Sequence, residues 1–222
     1  NGIKILKFIM GKKNIHFIPG NHEEDLFDMI ILFKKGKKHH GFDSWIKEEG
    51  ADTSKDFFAL SKKEQSDIIN FIGNSTITKT IEVNGKIFHL SHMMPPEKNS
   101  NNNEDNKRIE NRNKVRNLTL KEAKKLLGFD KFFTTNWTVF QDIDDLESLG
   151  NILHARINEG IDFILVGHRP VNMTKFGKSD DNGNPRITKM PLGNVIDLDC
   201  ACGHNGTLGC LRLDDMKVFH ID

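Results

Sequence analysis

The sequence predicts an α/β protein in which a two-sheet mixed β-sandwich is flanked by helices. Apolar residues recur at three- and four-residue spacing in the first third of the chain, which favours helices there. Short β-rich runs with glycine- and aspartate-rich turns close the chain after residue 186. Helices between early strands, followed by antiparallel strands, are typical of layered α/β folds.

Helices are predicted where the apolar stripe is accompanied by capping residues. They are expected over residues 2–10, 23–34, 43–73, 119–127 and 145–159. Gly11 ends the first of them. Ser61 to Glu64 and Thr119 to Glu122 both have the sequence of a capping box, in which the first side chain and the fourth satisfy each other's backbone amides.

Strands are predicted where apolar residues alternate or form short buried runs. They are expected over residues 14–18, 76–83, 86–91, 161–166, 186–190, 194–198, 207–213 and 218–221, with an extended segment at 132–140. Asn84-Gly85 between two of these runs is a strong hairpin signal.

Length and composition place limits on the function. The 222 residues fit a single domain, residues 1–222, and 28% charged residues with a net charge of +1 argue against nucleic acid as a partner. No run approaches the roughly 20 apolar residues of a membrane helix. Three clustered cysteines form no disulfide framework, which favours the cytoplasm and predicts Cys200 and Cys202 as buried apolar thiols. Residues 95–150, whose first part is poor in apolar side chains, are predicted to be a polar and helical insertion or cap.

The candidate site residues follow three predicted strands. Asn21 and His22 come after residues 14–18, His92 after 86–91 and His168 after 161–166. An amide oxygen and two imidazoles suit a divalent transition metal. Each histidine alone is more often an ordinary polar residue, and we interpret the others, such as His16, His89 and His220, in that way.

Four segments carry a resemblance to a known family. They are Gly20-Asn21-His22-Glu23, Leu90-Ser91-His92, Val166-Gly167-His168-Arg169-Pro170 and the run from Leu198 to Leu213. Together they resemble the calcineurin-like metallophosphoesterases, and among these the bacterial and phage serine/threonine phosphoprotein phosphatases. The resemblance extends over residues 1–25, 85–95 and 160–222.

The resemblance implies a fold, an activity and a set of roles. Asn21, His92 and His168 would hold one metal of a two-metal centre, with manganese or an iron/zinc pair as the usual occupants. A hydroxide bound by both metals would attack phosphorus, and His22 would act as the general acid. The substrate would be a phosphoprotein or a small phosphoester. The alternatives are a dinucleoside polyphosphate hydrolase of the same fold and a catalytically inactive relative that acts as a binding domain.

The chain also departs from the family. Neither Asp-x-His nor Gly-Asp-x-x-Asp-Arg, which would supply the other metal's ligands, occurs in the sequence. We therefore expect the first strands of the fold to be missing and the metal site of this chain to be weak. Met93-Met94 replaces small residues, and Val139 stands in place of a phosphate-binding arginine. Arg169 is the nearest substitute, ahead of Arg112 and Arg116.

Overall fold

The computed structural model describes residues 2–37, 42–47, 50–92, 117–127, 160–174, 176–190 and 194–221. In these ranges the chain is mixed α/β, with six α-helices, one mixed five-stranded sheet and two small two-stranded sheets, which confirms the predicted class. The described residues divide into two compact units, one within residues 2–77 and 117–127 and the other within 78–92 and 160–221. A single domain over 1–222 stays a prediction. None of the described helices combines the length and apolar character needed to cross a membrane.

The first unit is helical. Its helices are α1 (Gly2–Met10), α2 (Asn21–Lys34), α3 (Phe42–Lys47), α4 (Ala51–Phe58), α5 (Lys62–Asn74) and α6 (Leu120–Leu127). Both predicted capping boxes are present. The Ser61 amide donates to Glu64 Oε2 at 3.0 Å, and the Thr119 amide donates to Glu122 Oε2 at 2.9 Å. These bonds fix where α5 and α6 begin.

Helices α2 and α5 approach each other closely at Gly73. A Cβ on Gly73 would lie 2.5 Å from Cε2 of the buried Phe27 ring, so only glycine fits there without a shift of that ring. Buried Leu26 on α2 and Ile69 and Ile72 on α5 belong to the same apolar core. The orientation of α2 within this unit is therefore set in part by a ring packed on a glycine.

The strand predicted over residues 14–18 is wrong. Residues 15–20 carry no regular secondary structure, and none of the described strands pairs with them. Their apolar side chains are used differently, because the Phe17 ring stacks on Phe71 at 5.5 Å between centroids while Ile15 is exposed. Alternation in the sequence predicted the exposure pattern of a strand, but a strand also requires a partner for its backbone amides.

The second unit is built on the five-stranded sheet. Its strands are β1 (Thr78–Val83), β2 (Lys86–Ser91), β3 (Phe163–Val166), β4 (Lys178–Ser179), β5 (Pro185–Arg186), β6 (Thr188–Lys189), β7 (Val195–Asp197), β8 (Leu208–Arg212) and β9 (Lys217–Ile221). The sheet order is β1-β2-β3-β7-β6, and β4-β5 and β8-β9 are separate antiparallel pairs. Strands β2, β3 and β7 run parallel to one another, whereas β1 and β6 are antiparallel edge strands.

Both faces of this sheet are apolar, as a sheet with parallel strands requires. One face is centred on Phe88, Leu165 and Ile196, and the partly buried Leu211 of β8 packs against it. The other face has Ile164, Val166, Val195 and Met190 at its core. The alternation of Ile164, Leu165 and Val166 between these two clusters fixes the register of β3.

The strand predicted over residues 186–190 is two strands. Pro185 pairs with Ser179 in the small β4-β5 sheet, whereas Thr188 pairs with Asp197 in the large one. Between them the Ile187 amide donates to Nε2 of His220 rather than to a ladder partner. The segment changes sheets at Ile187, which apolar periodicity could not indicate. The elements predicted over 132–140 and 145–159, most of the 95–150 insertion, and residues such as Met93, Arg112 and Val139 lie outside the described ranges.

The Asn84-Gly85 hairpin gives a prediction about stability. Gly85 has φ +73°, and no atom lies within 4 Å of the position a Cβ would take. Gly85→Ala should therefore destabilise the second unit by about 1 kcal/mol through backbone strain alone. Urea unfolding would measure this. Gly203→Ala is the matched control, because Gly203 is equally open and does not have a positive φ. An equal loss in both variants would contradict the strain explanation.

Candidate functional site

The carboxyl ends of three parallel strands meet at one edge of the five-stranded sheet. His92 follows β2, Gly167 and His168 follow β3, and residues 198–200 follow β7. Backbone bonds hold these ends in register. The Gly167 amide donates to the His92 carbonyl at 3.0 Å, and the Leu198 amide donates to the Val166 carbonyl at 2.8 Å. Such an edge is where open α/β sheets bind ligands.

His92 and His168 are brought together at this edge, as predicted for two of the candidate ligands. Nε2 of His92 lies 3.0 Å from Nδ1 of His168, and the rings are 4.9 Å apart in a T-shaped arrangement. Both side chains are partly buried. Two nitrogens bound tetrahedrally to one ion at about 2.0–2.1 Å would lie roughly 3.3 Å apart. The observed 3.0 Å is a hydrogen-bond distance between the two rings, and it is close to the spacing that two ligands of one divalent metal would have.

His168 has an unusual backbone conformation. Its φ is +76°, a region that non-glycine residues rarely adopt. The chain around it is held by the Val171 amide, which donates to the Asp199 carbonyl at 2.9 Å, and by Val171, which is fully buried. Strain of this kind is found at functional sites, where the surrounding structure holds a side chain in a specific orientation. The sequence showed no sign of this strain.

Asn21 and His22 lie in the first unit, in the first turn of α2. Gly20 is the N-cap residue, and its amide donates to Glu23 Oε2 at 2.9 Å. Asn21 is partly buried and His22 is exposed. The predicted approach of these two side chains to the histidine pair stays a prediction, and so does the phosphate-binding role of the partly buried Arg169.

Two histidines that we interpreted as ordinary polar residues have structural hydrogen bonds. Buried His89 places Nδ1 3.0 Å from Thr80 Oγ1 on the neighbouring strand, and His220 accepts from the Ile187 amide. Within the described ranges, no group of three or more His, Cys, Asp or Glu side chains is placed to hold a metal ion. This statement does not cover Asn21, the third predicted ligand, because its side chain is an amide.

Asp197, the last residue of β7, is a candidate that sequence reasoning missed. It is fully buried and lies in register with Val166, two residues before His168. Its Oδ1 accepts from the Asp199 amide at 3.0 Å, whereas Oδ2 has no hydrogen-bond partner in the described part of the chain. Burial raises the pKa of this carboxyl to about 8. A perturbed acid near the ends of the parallel strands is typical of functional sites. Its only sequence signal was an aspartate ending an apolar run.

Asp197 predicts a pH dependence of stability. The folded state binds the Asp197 proton more tightly than the unfolded state does. The contribution of this proton to folding stability is therefore complete below pH 4 and is lost as pH rises through about 8. We expect the second unit to lose on the order of 5 kcal/mol of stability from this group between pH 4 and pH 8. In urea unfolding, Asp197→Asn should remove this decrease of stability with rising pH. Asp181→Asn, at an exposed loop position, should keep the decrease of stability with rising pH. The same decrease in Asp197→Asn would show that Asp197 does not cause it.

The three cysteines are free. Cys200 is buried as predicted, but the prediction of a buried Cys202 is wrong. Cys202 begins an exposed 3-10 turn, Cys202–His204, which follows Ala201 in a left-handed conformation with φ +58°. The backbone reverses at Ala201 and carries the second thiol outward.

Comparison with known proteins gives no assignment: no protein family, no curated protein and no solved structure matches this chain.

Proposed function

We propose that this protein is a metal-dependent phosphoric-ester hydrolase that acts on phosphoserine or phosphothreonine in proteins. The observation that supports it most is the His92–His168 pair, with nitrogens 3.0 Å apart at the carboxyl ends of neighbouring parallel strands. Gly20-Asn21-His22-Glu23 at the start of α2 adds the second motif of the metallophosphoesterase resemblance. The proposed fold is the two-sheet metallophosphoesterase sandwich, of which the mixed sheet would form one layer.

Each site residue has a role in this proposal. Asn21, His92 and His168 would hold one ion of a two-metal centre. The two ions would be manganese or an iron/zinc pair. A bound metal would neutralise charge on the phosphoryl oxygens and make water nucleophilic at neutral pH. His22, protonated, would donate its proton to the departing alkoxide oxygen. Arg169 would hydrogen-bond a phosphoryl oxygen through its guanidinium group.

A second candidate function is binding without catalysis. The absence of Asp-x-His and Gly-Asp-x-x-Asp-Arg from the sequence favours it, because those motifs would complete the two-metal centre. Such a protein would retain the histidine pair and its metal affinity but would turn over no phosphoester. The three free cysteines support a reducing compartment, which we propose to be the cytoplasm for either function.

Hydrolysis of p-nitrophenyl phosphate and of a phosphoserine peptide, with and without Mn²⁺, tests the proposal. We expect the 222-residue chain to show slow Mn²⁺-dependent turnover, because these residues contain neither motif that would supply the second metal's ligands. His22→Gln should lower kcat for the phosphoserine peptide by about 100-fold without changing Mn²⁺ affinity, as loss of a general acid does. It should lower kcat for p-nitrophenyl phosphate much less, because p-nitrophenolate departs without needing a proton. His16→Gln is the matched control, since His16 is an exposed histidine six residues earlier. Mn²⁺ binding without any turnover would favour the binding domain, and an unchanged kcat for the phosphoserine peptide in His22→Gln would contradict the acid role.

A further inference from the structure

The first unit contains a buried cluster of three charged side chains. Nζ of Lys124 on α6 lies 2.6 Å from Oε1 of Glu24 and 2.5 Å from Oδ2 of Asp28, and all three side chains are fully buried. Glu24 and Asp28 are four residues apart, so they occupy one face of α2 in its first and second turns. Lys124 thus joins α6 to both turns.

Packing two helices through this cluster costs more solvation free energy than packing them through apolar side chains would. Burying three charges costs solvation that apolar residues of the same volume would not lose. The compensation is incomplete, because Oδ1 of Asp28 has no hydrogen-bond partner among the described residues. Burial raises the pKa of Asp28 to about 7, although the Lys124 ammonium opposes this shift. What the charges add over an apolar contact is direction, since short charged hydrogen bonds have a narrower range of favourable geometry than apolar contacts do.

Helix α6 is itself firmly anchored. The Leu120 amide donates to the Ser75 carbonyl at 3.0 Å, and the Ile77 amide donates to the Leu118 carbonyl at 3.1 Å, which ties its start to the end of α5. Leu120 and Ala123 are fully buried. The backbone of α6 that carries Lys124 is therefore held in place relative to α5.

The contact nearest the candidate site is the one to Glu24. Glu24 lies two residues after His22 and three after Asn21, and its amide donates to the N-cap Gly20 carbonyl at 3.0 Å. The Phe27–Gly73 contact holds α2 further along. Lys124 contacts the first turn, which carries Asn21 and His22, through Glu24.

We propose that Lys124 is a positioning residue, which fixes the first turn of α2 through Glu24 so that Asn21 and His22 are presented in one orientation. Lys124 touches no reacting atom in this scheme and acts only through α2. Its effect on activity rests on the proposed function, whereas its effect on the order of α2 does not. Reactive groups need such fixed placement because small displacements of a catalytic group cost large factors in rate.

Two matched variants test the inference. Glu24→Gln and Asp28→Asn each leave one carboxylate facing the Lys124 ammonium, so each variant retains one buried ion pair and we expect both to fold. Glu24→Gln removes the charged bond at the first turn, and Asp28→Asn removes the one at the second turn. Backbone amide exchange, followed by NMR on the 222-residue chain, reports the order of residues 24–26 against residues 31–34 at the other end of α2.

We expect Glu24→Gln to speed exchange at residues 24–26 at least tenfold and Asp28→Asn to change it less than twofold. Where the phosphoserine peptide is hydrolysed, Glu24→Gln should also lower kcat at least tenfold with KM changed less than twofold. Equal effects of the two variants on exchange, or no effect of Glu24→Gln, would overturn the positioning role. Absence of hydrolysis in the unsubstituted protein would instead overturn the proposed function, with the exchange data still deciding the role of Lys124.

Discussion

Lys124→Met should destabilise the first unit by about 3–5 kcal/mol. The substitution keeps the volume of the side chain but leaves Glu24 and Asp28 buried without a cation, and uncompensated buried charges cost this much. Lys7→Met is the matched control, because Lys7 makes an equally short pair with Glu64, 2.6 Å, in which both side chains are over 40% exposed. Urea unfolding of the helical unit should show no change for that control, since water screens the pair.

The pH dependence of the Lys124→Met effect has a defined sign. The raised pKa of Asp28, about 7, means that its proton stabilises the folded state fully below pH 4 and that this contribution is lost as pH rises through 7. The destabilisation by Lys124→Met should therefore be larger at pH 8 than at pH 5, where a carboxyl can take up a proton. Adding Glu24→Met and Asp28→Leu should restore stability. A uniform loss at both pH values, unaffected by these changes, would contradict the account of the cluster.

His168→Gly should abolish specific metal binding without loss of the fold. It removes one imidazole of the pair and relieves the positive φ of +76°, so the second unit should be as stable as before or slightly more stable. Removing a residue that only hydrogen-bonds a metal ligand lowers metal affinity by roughly 10–100-fold. Removing the ligand His168 itself should lower it more. Zn²⁺ or Mn²⁺ titration by calorimetry measures the affinity.

His204→Ala is the control for that titration. His204 is an exposed histidine in the 3-10 turn of the same unit, so its loss tests whether any surface imidazole accounts for the binding. Equal affinity in His168→Gly and the unsubstituted protein would show that the pair holds no metal.

Local signals in the sequence predicted the helices and most strands, because capping boxes and the Asn84-Gly85 turn act within a few residues. They also predicted that His92 and His168 would meet, since each follows an apolar run and the ends of parallel strands share one edge. Long-range pairing could not be predicted in the same way. Residues 14–18 alternate as a strand does but have no ladder partner in the described ranges, and the segment predicted as one strand changes sheets at Ile187.

Buried charge was the feature least visible in the sequence. Lys124 stands in a polar stretch beside Lys125, yet it is fully buried while Lys125 is exposed. Nothing local distinguishes the two residues, because the burial of Lys124 depends on carboxylates almost a hundred positions earlier. Asp197 was missed for a related reason, since its carboxyl is perturbed by the sheet that packs around it rather than by its sequence neighbours.

Mn²⁺ titration followed by NMR tests most directly the proposal that His92 and His168 form the metal-binding part of a phosphoesterase centre. Paramagnetic Mn²⁺ broadens the resonances of the imidazoles nearest to it. Substoichiometric Mn²⁺ should broaden the His92 and His168 ring signals before those of the exposed His16 and His204. Equal broadening of all four rings, or none at any of them, would show that His92 and His168 do not form a specific metal site.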